Sequence, residues 1–525
     1  MNTSLSARRR ARELAELADG HPVDVLVIGL GVTGAGVALD AASRGLSVAA
    51  VDAHDLAYGT SRWSSKLVHG GLRYLASGAV GLAYESAVER GILLERTAPH
   101  LVRPLPIVLP LTGELGRADA ALTRLGLAAG DALRAAAGTP RAALPPSRRI
   151  SGAETRRLFP AVRTRDLRGG LLHWDGQLVD DARLVVALAR TAAGHGATIL
   201  TRCRILRPLP GTVDAVDTRT GRRFTIRART VVNATGVWAD QLDPSVTLRP
   251  SRGTHLVLPA HRLGHPAAAL TVPIPGARSR FALVLPQPDG RVYVGLTDEP
   301  ITGGVPDVPE PPPADVEFLL DVLGTALDSP VGPDDVIGAF AGLRPLLAGP
   351  ATRTADLSRR HTVRVSPDGL VTVVGGKLTT YRRMARDAVD AAVAVGRLRA
   401  GPCRTAHLPL VGAGTATGVP AGDALPAGVR SLLVARYGAE AGAVAALADA
   451  DPALLRPIAD GVPVTGAELL WAVRHEGALD SDDLLDRRTR IGLVPADRER
   501  ALPVVRALLA AGNDGVEPPG RRPTC

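Results

Sequence analysis

The apolar and polar stretches near the start of the chain predict a strand, a helix and a second strand in close succession. The run Asp24–Ile28 is apolar after its first residue, as in a strand buried on both faces, and the glycine-rich stretch Gly29–Gly34 follows at once. A helix with small residues then extends to Gly45, a plausible C-terminal cap. The next apolar run, Ser47–Val51, ends in Asp52. These elements predict a βαβ unit.

The glycines of this unit have the spacing that binds dinucleotides. Gly29 permits a tight turn, Gly31 lets the backbone approach a pyrophosphate, and Gly34 allows close packing of helix and strand. Asp52 stands where an acid holds ribose hydroxyls. The later stretch Gly412–Gly418 has a misplaced third glycine and no acid at the right distance, so we interpret it as a loop. One dinucleotide site is therefore expected, whereas electron transfer between flavin and nicotinamide usually needs two.

Apolar runs farther along the chain predict a second sheet and a separate C-terminal region. The runs His255–Pro259, Phe281–Pro286 and Arg291–Leu296 are typical of strands. Two more strands, at Val231–Asn233 and Leu370–Val374, each lead toward a glycine turn. From about residue 400 the sequence is Ala-rich and helical in pattern, which indicates another domain.

The length of the chain predicts more than one domain, and its pattern of charge argues against a nucleic-acid-binding protein. The chain has 525 residues, more than the roughly 300 that one core can hold, so at least two domains are expected. Its formal net charge is +10, but 60 of its 62 basic residues are arginine, and no local run of basic and aromatic residues predicts nucleic-acid binding. Lys66 and Lys377 are the two lysines, and against this background they indicate sites that need a compact ammonium.

The spacing of the cysteines and the length of the apolar stretches indicate in which cellular compartment the protein works. Cys203, Cys403 and Cys525 are far apart, which argues against a zinc site or a disulfide framework and fits a reducing compartment. The longest uncharged stretches, such as Val25–Leu39, are shorter than the roughly 20 apolar residues of a membrane-spanning helix. We therefore expect a soluble or peripheral protein without a metal centre.

The segment Gly59–Leu75 concentrates reactive side chains within a short distance. It contains hydroxyls, a lysine, a histidine, an arginine and several glycines. Hydroxyl and backbone donors suit the pyrophosphate and ribityl chain of a long cofactor. His69 and Arg73 could face a substrate.

This segment resembles the signature of the FAD-dependent, aerobic-type glycerol-3-phosphate dehydrogenase family. The run that matches Thr60–Leu75 usually reads T-S-x-x-S-S-K-L-I-H-G-G-L-R-Y-L in that family. The resemblance continues in order over about residues 23–500. The further matching stretches are Val179–Leu184, Asn233–Trp238, Gly253–His255, Gly342–Leu346, Gly375–Arg382, His475–Glu476 and Asp482–Thr489.

The resemblance implies a fold and a domain organisation. The fold is α/β, with an FAD-binding Rossmann-like domain, an interleaved α+β substrate or cap domain and a C-terminal α-helical domain. The expected ranges are 1–22 for an N-terminal arm, 23–78, 150–245 and 335–398 for the FAD-binding domain, 79–149 and 246–334 for the cap domain, and 399–525 for the C-terminal domain.

The resemblance also implies a reaction. FAD would take a hydride from C2 of sn-glycerol 3-phosphate, giving dihydroxyacetone phosphate, and the electrons would pass to a membrane quinone. The protein would lie peripherally on the anionic cytoplasmic face of the cell membrane. The alternatives are a glycerol-3-phosphate oxidase that uses O₂ and another flavoprotein of the same superfamily. An RNA-binding flavoprotein and a catalytically inactive flavin-binding protein represent other classes. The acceptor and the oligomeric state, for which a homodimer is one arrangement, stay open.

Oxidation at C2 needs a base for the hydroxyl proton and a cation for the developing alkoxide. His255 and His69 are the candidate bases, and the sequence leaves the choice between them open. Lys377, after two glycines, can pair with substrate oxygens. Arg344 completes the catalytic set that the resemblance implies.

A phosphate dianion needs charge-assisted, preferably bidentate donors, which arginine provides. The resemblance assigns this role to Arg344, with Arg359 assisting, although Arg360 replaces the acid that usually follows the second arginine. Lys377, Arg73 and Tyr74 complete the implied substrate-binding set.

The resemblance and the glycine motif together assign FAD contacts. The implied cofactor-binding residues are Gly29, Gly31, Val32, Thr33, Gly34, Asp52, Thr60, Ser61, Ser65, Lys66, Ala234, Gly236, Gly376, Leu378 and Thr379. Two departures from the family pattern concern the same region. Leu296 replaces a threonine, which removes one possible contact with a substrate hydroxyl, and Arg62–Trp63 replaces small residues in the serine-rich loop.

Overall fold

Strands form two large sheets and a short hairpin in the described part of the chain. The computed structural model describes residues 2–76, 78–113, 116–209, 211–276, 280–301, 303–349, 360–420 and 425–512. In chain order the strands are β1 Val23–Ile28, β2 Val48–Val51, β3 Leu67–Val68, β4 Val102–Pro110, β5 Arg148–Ile150, β6 Gly170–Leu178, β7 Thr198–Leu200, β8 Cys203–Leu209, β9 Thr212–Asp217, β10 Arg223–Asn233, β11 Ser251–Pro259, β12 Ala269–Pro273, β13 Phe281–Pro286, β14 Arg291–Gly295, β15 Glu299–Pro300, β16 Gly338–Arg344, β17 His361–Val365, β18 Leu370–Gly375, β19 Pro457–Ala459 and β20 Val462–Thr465.

Helices cover the sheets and build the C-terminal region. In chain order they are α1 Ala7–Ala18, α2 Val32–Ser43, α3 Leu72–Ala76, α4 Val80–Ile92, α5 Arg117–Ala136, α6 Gly152–Leu158, α7 Asp181–Gly194, α8 Pro313–Gly324, α9 Tyr381–Gly396, α10 Ala427–Tyr437, α11 Ala441–Ala445, α12 Gly466–His475 and α13 Pro495–Gly512. Within the described residues, no helix has both the length and the apolar character needed to cross a lipid bilayer.

The first sheet has the predicted βαβ unit at its centre. Its strands lie in the order β17, β18, β10, β1, β2 and β7, and the last five run parallel to one another. Helix α2 crosses from β1 to β2, and Gly45 adopts a φ of +86° after it, as expected of a C-terminal glycine. Apolar residues of α2, α7 and α9 cover one face, and α1 with the β8–β9 hairpin covers the other. Cover on both faces explains why β1 is almost continuously apolar.

The second sheet is mostly antiparallel. Its strands lie in the order β15, β11, β14, β13, β12, β4, β6 and β3, with β16 beside β11 and β5 beside β6. The runs predicted as strands of a second sheet correspond to β11, β13 and β14. Helix α8 packs on one face of this sheet, where it forms a separate apolar core.

Three strands lie in the second sheet although their ranges were assigned to the FAD-binding domain. The short strand β3 falls in the range 23–78 and pairs with β6. Strand β6 falls in the range 150–245 and pairs along its whole length with β4. Strand β16 falls in the range 335–398 and pairs with β11. Apolar runs of this length look alike in either sheet, so the sequence alone does not indicate which sheet such a strand joins.

Helices α10–α13 and the β19–β20 hairpin form the predicted C-terminal helical domain, and buried ion pairs join this domain to the part of the chain that contains the first sheet. The Asp55 carboxylate accepts hydrogen bonds from Arg487 at 2.6 Å and from Arg488 at 2.8 and 2.9 Å. Arg183 of α7 donates to Glu476 at 2.6 and 3.2 Å. All five side chains are buried. The matching stretches near the C-terminus therefore hold this domain against the segment that follows Asp52.

Candidate active site

The glycine turn between β1 and α2 is too crowded for side chains. Gly29 has a φ of +99°, a conformation that favours glycine. A Cβ atom at Gly34 would lie 1.8 Å from the carbonyl oxygen of Gly29, and one at Gly29 would lie 2.7 Å from that of Ala234. The tight turn and the close helix packing predicted from these two glycines are therefore present, and Gly31 presents bare backbone at the start of α2.

Asp52 supports the same turn from the end of β2. Its carboxylate accepts hydrogen bonds from the backbone N–H groups of Leu30 at 2.7 Å and of His54 at 2.8 Å. Burial raises the pKa of Asp52 to about 6, because the charged form loses hydration. A carboxylate beside a glycine turn suits the ribose hydroxyls of a dinucleotide.

Further residues predicted to bind the cofactor surround the glycine turn. Val32 and Thr33 begin α2, and the N–H of Val32 donates to the hydroxyl oxygen of Ser61 at 2.8 Å. Ala234 and Gly236 follow β10, whose C-terminal end lies beside that of β1. The structure therefore brings these five residues to one edge of the first sheet, where ligands bind in parallel sheets.

The segment Thr60–Leu75 joins this edge to the second sheet. The Thr60 hydroxyl donates to the carbonyl oxygen of Leu343 at 2.7 Å. The Ser65 hydroxyl oxygen lies 2.8 Å from Nε2 of His255. The predicted segment therefore contacts both sheets at the place where they meet.

His255 occupies a dry, aromatic part of the site. It is buried in β11, and its ring stacks on Phe340 with the centroids 4.7 Å apart. Burial lowers the pKa of His255 to about 3, and the nearby cations Lys66 and Arg344 lower it further. Its Nδ1 atom is buried and lacks a hydrogen-bond partner among the described residues. The imidazole is therefore neutral at physiological pH, the form in which it can accept a proton.

Arg344 lies at the end of β16, and its guanidinium crosses β11. It donates to the carbonyl oxygen of Thr297 at 3.0 Å and lies 3.3 Å from the Asp298 carboxylate. A Cβ atom at Gly253 would lie 2.5 Å from Nη2 of Arg344, so glycine makes the crossing possible. His255 lies two residues after Gly253 and faces the same side of the strand. The Gly253–His255 stretch therefore places a cation beside a candidate base.

Lys377 lies on the other side of the segment. Its ammonium donates to the Ser86 hydroxyl of α4 and lies 4.1 Å from the ring centroid of Tyr74 in α3. Burial lowers the pKa of Lys377 to about 8, and Glu85 and Asp175 oppose the shift from a distance. Within the described residues no carboxylate forms an ion pair with this ammonium. A cation in this setting is suited to an anionic ligand.

The remaining predicted residues lie around Lys377. Gly375 and Gly376 have φ values of +76° and +72°, and the 3₁₀ turn Leu378–Thr380, with Thr379 buried, leads into α9. His69, the other candidate base, has its ring centroid 6.3 Å from that of Tyr74. The two candidate bases therefore belong to different parts of the site.

Lys66 is held inside the protein. Its ammonium lies 3.0 Å from the Asp181 carboxylate and donates to the carbonyl oxygens of Arg62 and Ser64, each at 3.0 Å. Burial lowers the pKa of Lys66 to about 8, whereas Asp181 opposes the shift. The side chain therefore holds the segment in place, and a contact of Lys66 with the cofactor stays a prediction.

The departure Arg62–Trp63 shapes the wall behind His255. The guanidinium of Arg62 lies 4.0 Å from the ring centroid of Trp63. Trp63 in turn stacks on Phe340 with the centroids 5.9 Å apart. Because the His255 ring packs on the same phenylalanine, the substitution affects the support of the candidate base.

Ser86 and Asp181, which contact the two lysines, were not predicted as site residues from the sequence. Ser86 carries no motif, and only its contact with Lys377 reveals it. Asp181 could have been found from its place in the matching stretch Val179–Leu184. The predicted contacts of Arg359 and of the Arg73 side chain lie outside the described part of the chain.

The glycine turn, the acid of β2 and the hydroxyl-rich segment together fit FAD. A family model described as FAD dependent oxidoreductase matches residues 24–382. A second, described as the C-terminal domain of alpha-glycerophosphate oxidase, matches residues 403–512. The protein is therefore an FAD-dependent oxidoreductase, as predicted.

Relatives define the family more closely. The glycerol-3-phosphate dehydrogenase 1 of Mycobacterium tuberculosis is 56% identical over 513 residues, which cover 97% of this chain and 99% of the relative. The chain belongs to the FAD-dependent glycerol-3-phosphate dehydrogenase family. A glycerol-3-phosphate dehydrogenase of Mycobacterium leprae is 40% identical over 492 residues, covering 90% of this chain and 81% of that one. The structure of glycerol-3-phosphate dehydrogenase from Bacillus halodurans complexed with FAD aligns with a TM-score of 0.72 at 26% identity, covering 96% of this chain and 94% of that one.

Proposed function

We propose that the protein oxidises sn-glycerol 3-phosphate at C2 to dihydroxyacetone phosphate and passes the electrons to a membrane quinone. One observation carries the proposal. The segment Thr60–Leu75 contacts the glycine turn, the strand of His255 and, through Tyr74, the ammonium of Lys377. A cation suited to a phosphate, a candidate proton acceptor and the glycine turn therefore all lie along one segment, which supports the proposal. The names of the relatives support the choice of substrate.

Arg344 and Lys377 would bind the anionic substrate. Thr297 and Asp298 orient the Arg344 guanidinium, which remains 23% exposed and can therefore be reached by a phosphate. Lys377 supplies a compact charge that is not matched by a described carboxylate. Arg359 and Arg73 would assist, as the family resemblance implies.

His255 would accept the C2 hydroxyl proton. Burial keeps the ring neutral, and in a neutral imidazole one ring nitrogen carries no hydrogen and can accept a proton. Bound FAD would supply the hydride acceptor. Lys377, on the side of the site where His69 lies, would pair with other oxygens of the substrate. His69, beside Tyr74, is the alternative base.

The electron acceptor separates two versions of this function. We assign a membrane quinone and a peripheral place on the cytoplasmic face of the membrane. A glycerol-3-phosphate oxidase that uses O₂ is the second candidate, because the C-terminal family model bears the name of an oxidase. Peroxide production that accounts for all substrate oxidised, with no quinone reduction, would favour the oxidase.

Substrate selectivity of an Arg344 variant tests the proposal. Glycerol 3-phosphate should bleach the purified flavoprotein under anaerobic conditions, and glycerol should be a very poor substrate. Loss of two charge-assisted hydrogen bonds, each worth about 1.5–3 kcal/mol, predicts that Arg344→Ala lowers kcat/KM for glycerol 3-phosphate by more than about 100-fold. Activity with glycerol should change little, because glycerol has no phosphate.

Arg252→Ala is the matched control for Arg344→Ala. Arg252 is 22% exposed and pairs with Asp315, but it lies in register with Leu343 and so faces the opposite side of the sheet from Arg344. It should retain selectivity for the phosphate. If Arg344→Ala discriminated against glycerol as strongly as the unmodified enzyme does, the phosphate assignment would be wrong.

A further inference from the structure

Helix α5 has an apolar face where a surface helix is normally polar. Its residues Leu122 and Leu125 are 69% and 67% exposed, more than the other exposed large apolar side chains of the described residues. The same face carries exposed alanines, namely Ala121, Ala128, Ala129 and Ala132. With 100° between successive residues, these six positions form one stripe along the helix. The opposite side is the buried one, with Leu127 and Arg134.

The charged and apolar residues near the stripe indicate which kind of partner surface it would contact. Exposed Arg124 borders the stripe, and the whole chain has a net charge of +10. The adjoining helix α4 exposes Val80 and Tyr84, which are 54% and 46% exposed. Leucines with an arginine at the border and a nearby tyrosine are typical of helices that lie in the interface of an anionic bilayer.

The stripe also lies close to the candidate active site. Helix α5 packs on α3, where Leu72 meets Gly130, and on α4. Helices α3 and α4 carry Tyr74 and Ser86, the two contacts of the Lys377 ammonium. Helix α5 itself and the helices α3 and α4 on which it packs thus lie between the stripe and that part of the site.

We propose that the exposed face of α5 is the surface by which the protein lies on an anionic lipid bilayer. The leucines would enter the acyl boundary, and Arg124 would contact anionic headgroups. This inference rests on the proposed transfer of electrons to a membrane quinone, for which it names the surface that approaches the lipid.

Flotation with vesicles tests the assignment on the full FAD-containing protein. The unmodified protein should float with vesicles of phosphatidylglycerol and phosphatidylcholine, and Leu122→Asp/Leu125→Asp should lower partitioning at least about tenfold. Arg124→Gln should lower it about fivefold, and only when phosphatidylglycerol is present, because one interfacial cation contributes about 1 kcal/mol. The control Leu206→Asp, at a leucine 42% exposed on β8, should bind like the unmodified protein.

Other outcomes would overturn the assignment. These are unchanged binding by the double variant, no binding by the unmodified protein, or a dimer in solution that the double variant dissociates, which would make the stripe a contact between copies. Oxidation of glycerol 3-phosphate with a soluble dye should be the same in all variants, whereas reduction of vesicle-bound quinone should fall with partitioning. Absence of dye reduction in the unmodified protein would instead refute the proposed function.

Discussion

The pKa values of Lys66 and Lys377 are lowered to a similar extent, although the two side chains have different surroundings. They are the only lysines of the chain, and burial lowers the pKa of each to about 8. Lys66 pairs with Asp181 at 3.0 Å and donates hydrogen bonds to the backbone carbonyl oxygens of Arg62 and Ser64. Lys377 contacts a serine hydroxyl and the Tyr74 ring, without an ion pair in the described part of the protein.

This difference in ion pairing indicates different roles for the two ammonium groups. A buried charge that is matched within the protein contributes to holding the structure, and its loss leaves the partner uncompensated. A charge at the edge of a site without a carboxylate partner is matched when an anion binds. Similar pKa values therefore do not imply similar roles, and removal of the two ammonium groups should affect different properties.

Removal of the Lys377 ammonium should give the largest effect on catalysis. In Lys377→Met, kcat/KM for glycerol 3-phosphate should fall by about 1,000-fold, because up to two charge-assisted hydrogen bonds of about 1.5–3 kcal/mol each are lost. Flavin content and the free energy of unfolding should change little. Lys377→Arg should recover only part of the activity, since its planar charge is not compact. Wild-type kinetics in Lys377→Arg would show that the compact ammonium is unnecessary.

Removal of the Lys66 ammonium should act on stability. Lys66→Met should lower the free energy of unfolding by about 3–5 kcal/mol, because Asp181 is left buried without its partner. Adding Asp181→Asn should restore part of that loss, since the stranded charge disappears. Denaturant unfolding measures both effects, with Lys377→Met as the matched control. A loss in Lys66→Met no larger than in this control would contradict the structural role.

The pH dependence of kcat/KM should show a smaller effect of the Lys377 ammonium. The Lys377 ammonium loses its proton as the pH rises through about 8, so kcat/KM should fall by up to about tenfold per pH unit above that value. In Lys377→Arg this alkaline limb should move to higher pH, because a guanidinium stays protonated. The pKa of His255, near 3, places its own protonation below the usual assay range. An alkaline limb that is identical in both enzymes would assign it to another group.

Short-range patterns made the cofactor-binding unit predictable. The turn at Gly29, the packing at Gly34 and the acid at Asp52 depend on residues within one βαβ unit, where spacing dictates geometry. The family resemblance added His255 and Arg344, which the structure places on the same side of adjacent strands. The resemblance did not indicate which groups would surround them.

The sequence by itself determined the glycine turn, its acid and the identity of the candidate catalytic residues. Only the tertiary structure decided which lysine would be paired, because Asp181 belongs to a distant helix that packs beside Lys66. It likewise brought Ser86 to Lys377 and joined Asp55 to the arginines of the C-terminal domain. Burial and ion pairing depend on the arrangement of distant segments, and an apolar run does not encode which sheet or helix it will meet.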